Sequence, residues 1–405
     1  MTVVLQPVSA ALIGSHEQAI AAACRFAEEI ADGVIARDRA GSLPARELAA
    51  FDASGLLAIT IPAENGGPEL PVATLAEVAR TISAVDPAIA QGPQAHYLMV
   101  DVVAVSGSEA QRRTLFADVL RGRRIASALA ERGGAHAQDL KTRLRGDGSG
   151  LRLEGQKYYA TGALTAHWIA VSALDDEDHL VLAFVERNAA GVTLSEDWNV
   201  MGQRATVSGS AAFDGVHVDR ELVVPYAGCF EVPQLLGARA QLYHAAIQIG
   251  IAGGALRDAR QFVTTKARPF FEAVRAGWAE RAAADPHTIH RFGVMATRVR
   301  AAEALLVDAA ATLDELGRVP ADAEAAARGS VAVAQAKAFA SEVAVDVASD
   351  LFSLTGASAA DERHDLSRHW RNARTHASHD PADWKYHHVG NYLLSGVLPP
   401  NHGQL

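Results

Sequence analysis

Over roughly the first 120 residues the apolar positions recur at intervals of three and four. "AIAAACRFAEEIADGVIARD" and "LPARELAAFDASGLLAI" each collect their apolar side chains on one side of a helix, as a period of 3.6 residues requires. "PAENGGPEL" interrupts them with turn residues, and "VATLAEVARTISAVD" resumes the helical period. Near Arg124 the pattern changes to alternation. "HWIAVSAL", "HLVLAFVE" and "SAAFDGVHV", separated by Gly, Asp and Asn, predict the strands of a β-domain of about 100 residues. "GDGSG" (Gly146 to Gly150) lies between two strand-like runs and lacks the third glycine of GxGxxG in register, so it predicts a hairpin turn and not a dinucleotide loop. After Pro233 the helical period returns and persists, in alanine-rich runs whose small residues suit a tightly packed bundle. The predicted units are a helical domain over 1–122, a β-domain over 123–230 and a helical bundle over 231–405.

A chain of 405 residues exceeds what one core usually serves, so two or three units are expected unless they share a continuous helical core. With 49% hydrophobic and 21% charged residues, the composition is that of a soluble globular enzyme. A formal charge of −10 argues against nucleic acid as a partner, because that affinity depends on clustered Lys and Arg. Cys24 and Cys229 are too few and too far apart for a disulfide framework or a thiolate zinc site. "MTVVLQPVSAALIGS" has no basic residues ahead of its apolar run, and "HAAIQIGIAGGAL" is too short to span a bilayer, so a cytoplasmic protein with no membrane partner is expected.

Chemistry concentrates in "THASHDP", where His376 and His379 precede Asp380 and Pro381. Three readings are open. The residue before proline is biased away from the helical conformation, so the group could be a polar helix end. Histidines three apart can share a helix face and a metal, yet a third ligand at recognisable spacing is missing, and the adjacent His387 and His388 diverge by about 100° on a helix. Finally, an imidazole with an ordinary pKa of about 6.5 beside a carboxylate is an acid/base device that works near neutrality.

The order of helices, β-domain and long bundle resembles the acyl-CoA dehydrogenase fold, and particular segments carry the resemblance. "GLLAITIPAENGG" (Gly55 to Gly67) is similar to that family's GLxxxxxPExGG, "GQKYYATGA" (Gly155 to Ala163) to its GxKxWITNG, and "RPFF" (Arg268 to Phe271) to its RxxF. "THASHDP" stands where the dehydrogenases carry a catalytic glutamate in YEGT, and the alternative base position on an earlier helix falls at Ala240 in "GARAQLYHAA". Both usual base positions lack a carboxylate. "RHWRNARTHASHDPADWKYHHVGNYLL" and "DWNVMGQR" instead resemble the flavin-dependent monooxygenases of this superfamily, of which the dibenzothiophene monooxygenases are the best-known type.

This resemblance implies an oxygenase that takes reduced FMN, with FAD as the alternative, from a separate NAD(P)H flavin reductase. It implies that O2 forms a C4a-hydroperoxide on that flavin and that one oxygen atom passes to a small sulfur or nitrogen compound. The separate reductase agrees with the missing nicotinamide fingerprint. His379 is implied as the proton-handling residue, with His376 and Asp380 in support. Thr161, Trp198, Arg268, Phe271, Thr355 and Gly356 are implied at the flavin, the RxxF pair reaching a flavin on a neighbouring subunit of a homo-oligomer, a tetramer or a dimer. His96, Tyr97 and Trp198 are implied at the substrate pocket, and no metal is expected. An acyl-CoA dehydrogenase with a displaced base is the rival reading.

Overall fold

Seven helices, a mixed sheet and six further helices follow one another along the computed structural model, which describes residues 10–136, 139–148 and 150–402. Most of the N-terminal run read for a leader, and Ser149 of the Gly146 to Gly150 turn, lie outside these residues. The helices are α1 (His16–Ala31), α2 (Val34–Ala40), α3 (Ala45–Ala53), α4 (Val72–Ser83), α5 (Pro87–Gln91), α6 (Gln94–Ser106) and α7 (Glu109–Leu120). The strands are β1 (Ile125–Ala128), β2 (Arg143–Gly146), β3 (Leu151–Lys157), β4 (Trp168–Leu174), β5 (Leu180–Glu186), β6 (Val192–Leu194), β7 (Ala211–Val218) and β8 (Val223–Pro225). The bundle is α8 (Leu236–Thr265), α9 (Phe271–Arg275), α10 (Pro286–Leu316), α11 (Ala323–Thr355), α12 (Ser367–Ala377) and α13 (Ala382–Ser395).

Local signals account for the boundaries. Ser15 caps α1 by accepting from the Gln18 N–H, and Ser108 with Gln111 forms a reciprocal capping box on α7. The sheet runs β6-β7-β3-β2-β4-β5-β8, with β1 added parallel to β4. β2 and β3 pair antiparallel with Gly146 opposite Leu151, the hairpin expected around that turn.

Alternation along β4 explains how the units join. Trp168 and Ala170 face the large helical core, while Ile169, Val171 and Ala173 face a second core confined to the sheet. The first core is continuous from Phe26 and Phe51 through Phe184 to Leu242, Leu306 and Val343. The two helical regions therefore share one interior, and the sheet has one of its own. A buried ion pair, Arg124 Nε to Asp52 Oδ1 at 2.8 Å, ties α3 to the start of β1.

Small residues set the spacing inside the bundle. A Cβ on Gly250 would lie 1.9 Å from Ser83 Oγ, so α4 and α8 approach as closely as they do only because α8 has glycine there. α8 packs against both α4 and α11. Among the described residues no helix is long and apolar enough to cross a membrane.

Candidate active site

The chain breaks between α12 and α13 for a covalent reason. Pro381 has no N–H to continue a helix and disfavours helical geometry at Asp380, so α12 ends at Ala377 with Ser378 as its C-cap. His376 stays on the last turn of α12, while His379 and Asp380 fall in the short link. Breaking the helix turns these side chains toward α8 and α11.

Three imidazoles meet there. His376 Nε2 lies 3.1 Å from His244 Nδ1 on α8 and 3.2 Å from Gln91 Oε1 on α5. The amide oxygen of Gln91 accepts, so Nε2 of His376 carries the hydrogen and its Nδ1 is a bare acceptor. The His244 ring also packs on His379, with ring centroids 4.3 Å apart and planes at 35°. His379 Nδ1 donates to Asp380 Oδ1 at 3.2 Å, which leaves Nε2 as the nitrogen free to exchange a proton. Its side chain is 47% exposed, whereas His244 and His376 are buried.

The carboxylate has two cations. Lys385, one turn into α13, lies 2.9 Å from Asp380 Oδ2, and Lys337 of α11 lies 3.6 Å from Oδ1. Burial alone would push the Asp380 carboxyl up, but its bond to His379 and the two ammonium groups outweigh burial and hold it far below the usual carboxylate range. Burial holds His376 well below the ordinary imidazole value, with Lys337 and His379 adding to the effect. His244 is depressed likewise, first by burial and then by the other two histidines and Lys337.

The sequence-predicted residues divide into three groups. The trio of His376, His379 and Asp380 is brought together. Thr161 and Trp198 bond to the strained turn 200–208, which packs on α12. Thr161 lies beyond the end of β3, past Tyr159, whose left-handed φ of 59° turns the chain out of the strand. Its hydroxyl meets Ser208 Oγ at 2.7 Å, which meets Thr206 Oγ1 at 2.8 Å. Trp198 Nε1 donates to the Gln203 carbonyl at 3.0 Å, and its ring lies against Tyr158 and Tyr159. Gln203 and Val207 hold φ of 53° and 44°, a costly conformation for a β-branched valine, and costs of this kind cluster at ligand sites. The turn is wedged onto α12, where the Gln203 N–H donates to Asn372 Oδ1 and a Cβ on Gly202 would lie 2.0 Å from the Arg371 carbonyl oxygen.

The third group is not brought to the histidines. His96 Nε2 donates to the Leu57 carbonyl at 3.0 Å and Nδ1 accepts from the Ile125 N–H at 3.2 Å, with burial pushing the ring down to about 4. Tyr97 donates to the Leu56 carbonyl at 3.0 Å. Both rings are buried and spend their polar atoms bracing α6 against neighbouring backbone, which leaves neither a group to offer a substrate. Arg268 and Phe271 are exposed at the corner between α8 and α9. Thr355 is buried and donates to the Leu351 carbonyl of its own helix, and Gly356 caps α11 with φ of 70°.

Sequence reasoning missed His244, Lys337, Lys385 and Gln91. His244 lies one turn beyond Ala240, the place searched for a carboxylate, so the helix was identified and the wrong turn inspected. Lys337 is the lone cation in the apolar run "SVAVAQAKAFASEVAV", and an isolated lysine at a core position is a signal of pairing. A cleft of about 610 Å³ opens elsewhere, between α1, α2, the later half of α8 and the start of α12. Its lining shares no residue with the histidine cluster, and of its two carboxylates, Glu28 and Asp258, the latter is paired with Arg368 and His369.

Several buried polar atoms near the cluster are left without partners, most of them acceptors. His376 Nδ1, Thr375 Oγ1, Gln248 Oε1 and both amide atoms of Gln203 are buried with no hydrogen-bond partner among the described residues. Groups left so are costly unless a ligand or water engages them. The Thr206 hydroxyl and the Trp198 indole both donate to the Gln203 carbonyl.

Comparison with known proteins agrees with this geometry. The sequence matches the N-terminal domain of acyl-CoA dehydrogenase over residues 14–123, the middle domain over 126–216 and the C-terminal domain over 242–384. The chain belongs to the acyl-CoA dehydrogenase family, in its flavin-dependent monooxygenase branch. It is 30% identical over 400 residues to a dibenzothiophene monooxygenase of Rhodococcus erythropolis, covering 94% of each chain. It is 31% identical over 388 residues to a probable FMNH2-dependent monooxygenase of Pseudomonas putida, covering 94% of this chain and 96% of that one. Among solved structures, FMN-bound TdsC from Paenibacillus sp. A11-2 superposes with a TM-score of 0.90 at 28% identity, over 96% of this chain and 100% of that one. The methanesulfinate monooxygenase MsuC of Pseudomonas fluorescens gives 0.87 at 30% identity, over 95% and 99%.

Proposed function

We propose that this chain is the oxygenase component of a two-component system, taking reduced FMN from a separate flavin reductase and transferring one atom of O2 to a small organosulfur compound. The observation that carries the reading is the half-exposed His379, fixed by an ionised Asp380, at the position where the dehydrogenases place a glutamate. Nitrogen compounds are the second substrate class, and oxygen activation at C4a of the flavin is part of the proposal. FMN is preferred to FAD because two relatives similar over their whole length, the probable FMNH2-dependent monooxygenase and FMN-bound TdsC, are described with FMN.

The residues present fit that cofactor. Thr161 with the Ser208 and Thr206 hydroxyls, Trp198, and the unpartnered amide of Gln203 would line the ring, while Arg268, Phe271, Thr355 and Gly356 would serve the flavin of a second copy in a homo-oligomer. Arg268 offers a phosphate a planar fork of donors. Reduced flavin, when bound, supplies the electrons for splitting O2 and carries the oxygen atom that is transferred.

The protein's own work is protonic and steric. Asp380 accepts from Nδ1 of His379 and so aims Nε2 at the reacting oxygen. Nε2 gives its proton to the oxygen that leaves as water and recovers one from solvent through its exposed edge. His244 stacks on the ring and limits its rotation. Neutral His376 and Gln91 close the buried side, keeping water from competing.

The rival dehydrogenation needs a strong base for a carbon acid. The one carboxylate in the cluster is held ionised by two ammonium groups and a histidine, which makes it a poor proton acceptor. The purified protein, supplied with FMN, NADH, a reductase and O2, is expected to turn over thiophenes or sulfinates only when the reductase is present. Acyl-CoA thioesters with an artificial electron acceptor are expected to leave bound flavin oxidised; reduction of the flavin by a thioester would overturn the reading. A cytoplasmic location is part of the same proposal, since a soluble reductase and reduced flavin must be at hand.

A further inference from the structure

Asp380 has more positive charge around it than its neutralisation requires. Lys385 alone forms a direct ion pair at 2.9 Å. Lys337 adds a second ammonium from the middle of α11, where the neighbouring Ala336 and Ala340 are fully buried and a methionine would pack without electrostatic cost. Lys337 is 2% exposed and its Nζ has two recorded partners, Ser341 Oγ at 3.3 Å and Asp380 Oδ1 at 3.6 Å. A buried lysine is expensive to keep. Removing it leaves Asp380 paired with Lys385, so it is not retained to prevent an unpaired carboxylate.

The surroundings show what the extra charge does. Facing the cluster are His244 from α8, Gln91 from α5, Lys337 and Ser341 from α11, His376 from α12, His379 and Asp380 from the link, and Lys385 from α13. Two cations against one carboxylate leave one net positive charge beside three imidazoles. That field opposes a further positive charge on the buried rings of His244 and His376, where water cannot screen it.

We propose that Lys337 is a positioning residue whose buried ammonium keeps His244 and His376 neutral and Asp380 ionised, so that proton traffic is confined to His379. The idea rests on the reading of His379 and Asp380 as the proton-handling pair. The neutral rings then keep fixed hydrogen-bond roles through the cycle: His376 Nε2 donates to Gln91 and His244, and Nδ1 remains an acceptor for a ligand. Burial is the first cause of the depressed basicity of both rings, and Lys337 acts in the same direction on each.

The test is exchange of histidine C2 hydrogens between about pH 4 and 8, read residue by residue by mass spectrometry in the full-length, flavin-free protein. In Lys337→Met the titration midpoints of His244 and His376 are expected to rise by on the order of one pH unit, the effect of removing one nearby charge at a partly buried site. Lys337→Arg, which keeps the charge, is expected to stay near wild type. Lys337→Gln, neutral but still able to bond Ser341, is expected to follow Lys337→Met and serves if the methionine variant fails to fold. Midpoints that do not move in either neutral variant would overturn the proposal. In the reductase-coupled assay the acid limb of the oxygen-transfer profile is expected to move to higher pH, whereas a merely structural lysine would lower the rate without moving the limb. Raised midpoints in a protein that transfers no oxygen would leave the charge role standing and remove the assigned function instead.

Discussion

Replacing His379 by alanine is expected to lower oxygen transfer by about 100- to 10,000-fold, the usual contribution of a positioned acid or base. The electrons delivered by the reductase are then expected to appear as hydrogen peroxide, because reduced flavin still meets O2 while the proton is no longer delivered at the right atom. The fold should survive. The His379 side chain is half-exposed and its main packing partner is His244, so the loss in stability is expected to stay within about 1 kcal/mol, as for substitutions outside a core. Parallel measurement of product, peroxide and urea unfolding checks all three. Product formed at the wild-type rate would remove His379 from the mechanism.

Asp380→Asn carries the largest expected effect on stability. The asparagine keeps the shape of the carboxylate and removes its charge, which leaves Lys337 and Lys385 buried with no negative charge between them. Breaking a buried pair by removing one partner costs about 3–5 kcal/mol. The lower end is expected, because burial already pulls the Lys337 ammonium below the usual lysine range and it can shed its proton. Activity should fall too, since an amide can present its N–H to Nδ1 and so favour the wrong tautomer of His379. A two-state urea titration at neutral pH measures the first effect. A midpoint equal to wild type would show that the two ammonium groups do not depend on Asp380.

The sequence revealed the elements wherever one face of an element is buried. The three-and-four spacing in α1 and α4 and the apolar runs of β4 and β5 each correspond to a face packed on a core. Patterning could not show that the two helical regions share a single interior, because that depends on which faces meet. The site was legible in part. "THASHDP" stood out because its residue types are chemical and its proline breaks a helix. Its partners are distant: His244 and Lys337 lie 132 and 43 residues before His376 and Asp380 in sequence, so the isolated lysine in its apolar run signals a buried pair without naming the partner. His96 and Tyr97 show how little a resemblance says of a side chain's partners. The resemblance implied both at the substrate pocket, and in the structure both rings bond to backbone carbonyls.

Monooxygenation is tested most directly by the fate of the oxygen atoms. The protein, its reductase, FMN and NADH would be given an organosulfur substrate under oxygen-18 gas, and product, water and peroxide analysed by mass spectrometry. The expected result is one labelled oxygen atom in each product molecule, with the other recovered in water. A product whose added oxygen comes from unlabelled solvent, or label found only in peroxide, would contradict the account.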